Sequence, residues 1–174
     1  MPTGELVRLR PLEPSDAEHL HRWHSDPVAM RWMVEGYERS LAQTVKRCEE
    51  RKPNTYEDVL FVVETLDGGR PIGITHLGDT EPEVGRVELD LYIGEQDAWG
   101  HGYGTDATRV ACRYAFETMR LHLVALWVVV DNAAARRVYE KVGFQLDGVH
   151  RQAFRRDGRF HDLALMSLLE GELR

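Results

Sequence analysis

The chain has 174 residues, of which 43% are hydrophobic and 29% are charged, and its formal net charge at pH 7 is −7. This length predicts one domain over residues 1–174, and the acidic balance argues against nonspecific binding to nucleic acid. We expect a cytoplasmic protein without membrane association or a disulfide framework, because no apolar run approaches the ~20 residues of a membrane span, no signal-peptide pattern is present, and Cys48 and Cys112 lie far apart.

The first half of the chain carries patterns of both helices and strands. The predicted elements are an edge strand at Glu5–Arg10, a helix that begins at a Ser15–Glu18 capping box and ends near Ser25–Pro27, a second helix from Leu41 to about Arg51 behind a Ser40–Gln43 capping box, and strands at Val59–Thr65 and Ile72–Leu77. The Asp67-Gly68-Gly69 sequence between the two strands is typical of a hairpin. A polar turn is predicted at Gly78–Gly85.

The second half opens with a strand at Val87–Ile93, whose apolar residues alternate with polar ones. The further predicted elements are a helix from Thr105, a strand at Leu121–Val130, a helix at Ala133–Val142 followed by Gly143 in a left-handed conformation, and antiparallel strands at Phe144–Ala153 and Phe160–Leu169. The order β-α-α-β-β-β-α-β-α-β-β predicts an α/β (α+β) fold. We expect one mixed, mostly antiparallel central sheet flanked by helices.

Three glycines, Gly100, Gly102 and Gly104, stand at alternate positions between the Val87–Ile93 strand and the helix from Thr105. Glycine permits positive φ and lets another molecule approach the backbone closely. The first N–H groups of a helix also attract anions, so these residues predict a phosphate-bearing cofactor at the helix N-terminus. The alternative is a tight connection only, because G-x-G-x-G differs from the dinucleotide fingerprint G-x-G-x-x-G.

A second motif lies at Val130–Phe144, with the sequence V-D-N-A-A-A-R-R-V-Y-E-K-V-G-F. Together with W-G-H-G-Y-G-T at Trp99–Thr105, it resembles the GNAT superfamily of acetyl-CoA-dependent N-acetyltransferases. The family pattern N-x-x-[A/S]-x-x-x-Y-x-x-x-G-F is matched by Asn132, Ala135, Tyr139, Gly143 and Phe144. Trp99 stands where the family's [R/Q]-x-x-G-x-[G/A] loop has Arg or Gln. With tryptophan at this position, the loop is similar to that of the branch that contains ribosomal-protein N-terminal acetyltransferases and spermidine acetyltransferases.

The resemblance implies a GNAT-like domain that uses acetyl-CoA as its co-substrate and needs no metal. It implies cofactor contacts in the central strand, the glycine loop and the following motif, at Leu91, Tyr92, Ile93, Trp99, Gly100, His101, Gly102, Tyr103, Gly104, Thr105, Asn132 and Tyr139. Within this set, Leu91 to Ile93 are the positions where the family's strand splays from its neighbour. Backbone N–H groups left free there could polarise the thioester carbonyl.

Tyr139 is our candidate for the proton donor to the departing thiolate. A phenol with a pKa of about 10 is neutral at pH 7 and is well matched to an aliphatic thiol, and the resemblance implies the same role. The alternative is a core tyrosine that packs beside Val142. Asn132 is expected to cap the helix from Ala133, to hydrogen-bond the pantetheine arm, or to do both.

The general base has several candidates, since an amine with a pKa of about 10 must lose a proton to attack and a carboxylate, directly or through water, is the usual acceptor. Whether water itself serves as the base stays open. Glu88, which matches a glutamate of the family, ranks first. Glu35 ranks second; with Tyr37 it lies where spermidine acetyltransferases place substrate-contacting residues. Asp90, two residues from Glu88 and on the same strand face, ranks third. Asp162 is a further candidate for substrate contact, and the alternative for each acid is a solvated side chain.

Eight histidines suggest a metal site only at first sight. His21 and His24 share one helical face, but the chain has no H-E-x-x-H motif and no cysteine partner for them. No metal site is predicted, and the histidines are expected to be surface or packing residues.

The expected function is acetyl transfer to a small cationic amine, polyamine-like or aminoglycoside-like. One alternative is a protein N-terminal acetyltransferase that acts on a peptide N-terminus, and a remoter one is a non-catalytic acyl-CoA-binding module. The acceptor, the acyl-chain preference and the oligomeric state stay open, with a homodimer as one alternative.

Overall fold

The computed structural model describes residues 1–34 and 38–174. Within these residues the helices are α1 (Ala17–His24), α2 (Leu41–Glu49), α3 (Tyr103–Glu117) and α4 (Ala133–Val142). The strands are β1 (Val7–Pro11), β2 (Val59–Thr65), β3 (Pro71–Glu81), β4 (Arg86–Ile93), β5 (Leu123–Val129), β6 (Gln145–Arg156) and β7 (Arg159–Leu169). The predicted order of helices and strands is confirmed.

The described strands form one seven-stranded sheet in the order β1-β2-β3-β4-β5-β7-β6. Neighbouring strands are antiparallel except β4 and β5, which are parallel. These two strands pair only between residues 86–88 and residues 123–125, although β4 continues to Ile93. The sheet therefore opens between its two central strands after Glu88.

Helices cover both faces of the sheet. The larger cluster of buried side chains joins α3 and α4 to the apolar face of β4, which carries Val87 and Leu89. The smaller cluster packs α1 and α2 on the other face, where Trp23, Cys48 and Ile74 are buried together. The alternation along β4 thus turns its polar residues toward α1 and α2. No helix in the two described ranges has the length and apolarity of a membrane span.

Several predicted boundaries differ from those of the structure: β1 and β5 each begin two residues later, β6 ends three residues later, and the end of β3 and the start of α3 also move. β3 runs on to Glu81, so half of the predicted turn at Gly78–Gly85 is strand, because the hairpin with β4 continues past an irregularity after Gly78. α3 begins at Tyr103 instead of Thr105, because Gly102 at φ 89° already redirects the chain.

The start of α1 also differs from the prediction. Asp16, and not Ser15, precedes the helix. Its buried carboxylate accepts hydrogen bonds from Arg10 Nη1 at 2.8 Å, from Arg10 Nη2 at 2.7 Å and from the Glu13 N–H at 2.8 Å. Ser15 lies instead in the short 3₁₀ turn Pro14–Asp16 that precedes the helix, where the Arg10 guanidinium of β1 binds Asp16. The second predicted capping box, at the start of α2, is confirmed.

Asp106 ties the N-terminal segment to the first turn of α3. Its carboxylate is 3% exposed and accepts hydrogen bonds from the N–H groups of Glu5 at 3.2 Å, Leu6 at 2.7 Å and Val7 at 3.0 Å. We expect Asp106→Ala to lower the free energy of unfolding by about 3 kcal/mol, because these donors lose a charged acceptor at a largely buried position. Urea unfolding measures the change, with the exposed Asp147→Ala as control. Equal stability of the two variants would contradict the assignment.

Candidate active site

The opening between β4 and β5 exposes one side of the β4 backbone. In an antiparallel pair the amides of a strand alternate between bonding the partner and pointing away from it. The Gly94 N–H bonds to the Ile72 carbonyl at 2.8 Å, and the register then turns the Tyr92 N–H toward β3. The N–H groups of Leu91 and Ile93 consequently point into the opening, where they can meet a developing oxyanion.

A cavity of about 640 Å³ lies at this opening. Residues from α1, α2, α4 and the strands from β2 to β7 line it, and the predicted site residues among them are Asp90, Leu91, Tyr92, Asn132 and Tyr139. The structure therefore brings the central strand and the Val130–Phe144 motif together in one space. Glu88, Asp162 and the glycine turn lie outside this lining.

Tyr139 lines the cavity from α4 and is 6% exposed. Burial raises the pKa of its phenol, and the negative charge of Asp90 raises it further. Its ring packs against Phe144, with centroids 5.7 Å apart, which holds the side chain in place. Tyr139 is therefore protonated at neutral pH, as a proton donor must be.

Asn132 caps α4, because its Oδ1 accepts a hydrogen bond from the Ala135 N–H at 3.2 Å. The same side chain lines the cavity. The predicted cap is thus confirmed, and the contact with a pantetheine arm stays a prediction.

The glycine turn leads directly into the N-terminus of α3. Gly100 and Gly102 have φ angles of 79° and 89°. The first backbone bond across the turn runs from the Asp106 N–H to the Gly102 carbonyl at 3.0 Å, so the N–H groups of residues 103–105 precede the helical ladder. No atom lies within 4 Å of a Cβ built at Gly100. This open turn with outward amides fits a phosphate group.

Trp99 joins this turn to β4. Its Nε1 donates a hydrogen bond to the Ile93 carbonyl at 2.8 Å, and its side chain is 42% exposed. The indole therefore fixes the turn next to the open end of the strand. His101 and Gly102 follow at the exposed surface.

The structure separates the two acids of β4. Glu88 accepts a hydrogen bond from Arg86 Nη2 at 2.5 Å and lies outside the cavity lining. Asp90 carries the only carboxylate among the described residues that line the cavity. Asp90 therefore lies at the cavity and Glu88 does not, and the choice of a carboxylate as the base stays a prediction.

His76 lies opposite Asp90 on β3, and the sequence analysis missed it. Its Nδ1 is 3.6 Å from Asp90 Oδ2, and its Nε2 is 2.9 Å from Asp58 Oδ1. Arg51 holds Asp58 with two contacts of 3.0 Å. The Asp90 and Asp58 carboxylates raise the pKa of His76, with Asp90 contributing most. A histidine inside the otherwise mostly apolar I-G-I-T-H-L-G stretch could have marked His76 as a candidate functional residue. Its partner could not be predicted, because that depends on strand register.

The remaining candidates do not join this group. Asp162 accepts a hydrogen bond from the Gln152 N–H at 2.8 Å and so connects β6 to β7. Glu35 and Tyr37 lie outside the described residues. Among the described residues, no three His, Cys, Asp or Glu side chains form a cluster that could hold a metal ion.

The fold and the cavity define the class of protein as an acyltransferase: a central strand pair opens beside a helix N-terminus, and a protonated tyrosine faces the opening. The acetyltransferase (GNAT) domain family matches residues 7–145, and the chain belongs to that family. Members of this family take the acetyl group from acetyl-CoA.

Named relatives align with almost the whole chain. The spermidine N(1)-acetyltransferase of Escherichia coli (strain K12) is 27% identical over 171 residues, which cover 98% of this chain and 89% of that protein. A candidate ribosomal N-acetyltransferase of Bacillus subtilis (strain 168) is 30% identical, with coverages of 97% and 94%. Among solved structures, Vibrio cholerae spermidine N-acetyltransferase in complex with CoA and spermine has a TM-score of 0.82 at 25% identity, covering 95% of this chain and 96% of that one.

Proposed function

We propose that this protein transfers the acetyl group of acetyl-CoA to a primary amine by direct attack within a ternary complex. The observation that carries the proposal is the shared cavity, whose lining includes the buried Tyr139, Asp90 and the open edge of β4. An amine held there beside the acyl donor reacts as if within one molecule, which accounts for much of the rate.

Acetyl-CoA supplies the thioester whose acetyl group is transferred. The turn at Trp99–Thr105 would hold its pyrophosphate through the first N–H groups of α3, and Asn132 would contact its pantetheine arm. The residues fit because the turn is open above Gly100 and the N–H groups of residues 103–105 precede the hydrogen-bond ladder of α3.

The chain's own residues divide the remaining work. The N–H groups of Leu91 and Ile93 stabilise negative charge on the carbonyl oxygen. Tyr139 donates its proton to the thiolate that leaves. Asp90 attracts and orients the ammonium group of the acceptor.

We propose a small cationic amine as the acceptor, because the Asp90 carboxylate borders the cavity and two of the relatives named above are spermidine N-acetyltransferases. A peptide N-terminus is the second candidate. Arg39, Arg47 and Arg51 also line the cavity, and their positive charge would oppose the outer ammonium groups of a polyamine more than a single terminal amine.

A screen of thiol release from acetyl-CoA separates these acceptors. We expect release with spermidine or an aminoglycoside to exceed release with short peptides of matched concentration, each corrected for release without acceptor. Turnover of peptides alone would replace the first candidate by the second. Acetyl-CoA binding by calorimetry without thiol release for any amine would indicate a binding module.

A further inference from the structure

We propose that His76 is the general base that takes the proton from the acceptor ammonium, with Asp58 and Gly78 as its positioning residues. This inference rests on the proposed N-acetyltransferase function and names a residue for a step for which the sequence offered carboxylates or water.

The position of His76 suits this role. The imidazole lies on the cavity wall, with its side chain 33% exposed, so it can meet an entering amine. Asp58 holds Nε2 at 2.9 Å and thereby leaves Nδ1 as the atom that faces Asp90. Because Nδ1 and Asp90 Oδ2 are 3.6 Å apart, a nitrogen at about 2.9 Å from each can bond both.

Two neighbours fix the orientation of the ring. Arg51 binds both oxygens of Asp58, so the carboxylate cannot rotate freely away from His76. Gly78 leaves the space that the ring fills, because a Cβ at Gly78 would lie 2.4 Å from His76 Cε1. The imidazole can therefore occupy this position only because residue 78 has no side chain.

The step itself is a single proton transfer. An N–H bond of the ammonium breaks, its electron pair stays on nitrogen as the attacking lone pair, and the proton moves to His76 Nδ1. Asp58 remains hydrogen-bonded to Nε2 and stabilises the imidazolium that forms. The imidazolium later gives the proton to water, which restores the neutral base.

The charged groups around the imidazole determine the pH above which His76 is neutral and can accept a proton. Asp90 from β4 and Asp58 from the segment before β2 face the ring, and Arg51 from the segment after α2 binds Asp58. The two carboxylates stabilise the imidazolium and raise the pKa of His76 above its ordinary value. The neutral base therefore accumulates only as the pH rises through that raised pKa, and the rate should rise with it.

The test is the pH profile of kcat/KM for the best amine of the thiol-release screen, measured for the wild type, His76→Gln and His122→Gln. His122 is an exposed histidine immediately before β5 and serves as the matched control. We expect the wild type and the control to share an inflection above pH 6.5. His76→Gln should lose that inflection, fall about 10²–10⁴-fold at neutral pH and recover as the pH approaches the pKa of the amine.

Two positioning variants separate this role from a structural one. Asp58→Asn should move the inflection to lower pH, since it removes one of the charges that raise the pKa of His76. Gly78→Ala should lower kcat while the KM for acetyl-CoA stays unchanged, since it displaces the ring.

An unchanged inflection in His76→Gln, or the pH-rescued profile in Glu88→Gln instead, would overturn the inference. No turnover of any amine by the wild type would instead contradict the proposed function. In that case an NMR titration of the His76 ring in the wild type and in Asp58→Asn still tests the coupling of the two residues, and equal pKa values would overturn it.

Discussion

Tyr139→Phe is expected to reduce kcat by about 10- to 10⁴-fold, with little change in the KM for acetyl-CoA. The substitution removes one hydroxyl from a side chain that is 6% exposed and keeps the ring that packs on Phe144. Because the pKa of the phenol is raised, the hydroxyl is protonated at neutral pH and can donate its proton when the thiolate leaves. Loss of that proton source slows the departure of the thiolate and leaves ground-state binding unaffected.

Tyr114→Phe is the matched control for this change. Tyr114 is also a helical tyrosine, and its ring packs edge-on against Phe61 at a centroid distance of 5.3 Å. Its loss of a hydroxyl should leave kcat unchanged. Single-turnover kinetics measure both variants with chemistry as the observed step, and a Tyr139→Phe rate equal to that of the wild type would remove Tyr139 from the mechanism.

Gly102→Val is expected to abolish acetyl-CoA binding while the helices and strands remain. Gly102 has φ 89°, where a β-branched residue is strained by about 1–2 kcal/mol, and a Cβ there would approach Leu6 Cδ1 to 3.3 Å. The turn must therefore shift, and the first N–H groups of α3 shift with it. The amides would then no longer converge on a phosphate group.

Calorimetric titration with acetyl-CoA measures this loss, and circular dichroism checks the fold. Gly148→Val is the control, because no atom lies within 4 Å of its Cβ position and its φ is not left-handed. Gly104→Leu is a second variant without strain at φ: it places a side chain near Ile93 and Val138 on the first turn of α3. Normal binding by both turn variants would show that the cofactor lies elsewhere.

The sequence by itself determined the order of elements and the family. Local patterns suffice where the period is strong, as in the alternation of Val87–Ile93 and in α4, whose start at Asn132 and end at Gly143 carry their own capping residues. The motif with Asn132 and Tyr139 was also readable, because its spacing follows one helix and the turn before it.

Contacts between side chains of different structural elements could not be predicted from local patterns. Arg10 of β1, for example, binds Asp16 in the turn before α1. Such a contact joins two segments whose relation only the folded chain defines, and no local pattern contains it.

The tertiary structure alone decided which groups can accept the amine's proton. The register of β3 on β4 places His76 beside Asp90 and Gly78 beside Glu88, so a shift of two residues would have paired the imidazole with the other acid. Arg86 donates a hydrogen bond to Glu88, while the separation of β4 from β5 opens the cavity at Asp90. The alternation of residues along a strand predicts neither the hydrogen bond nor the separation, because both depend on how distant segments pack.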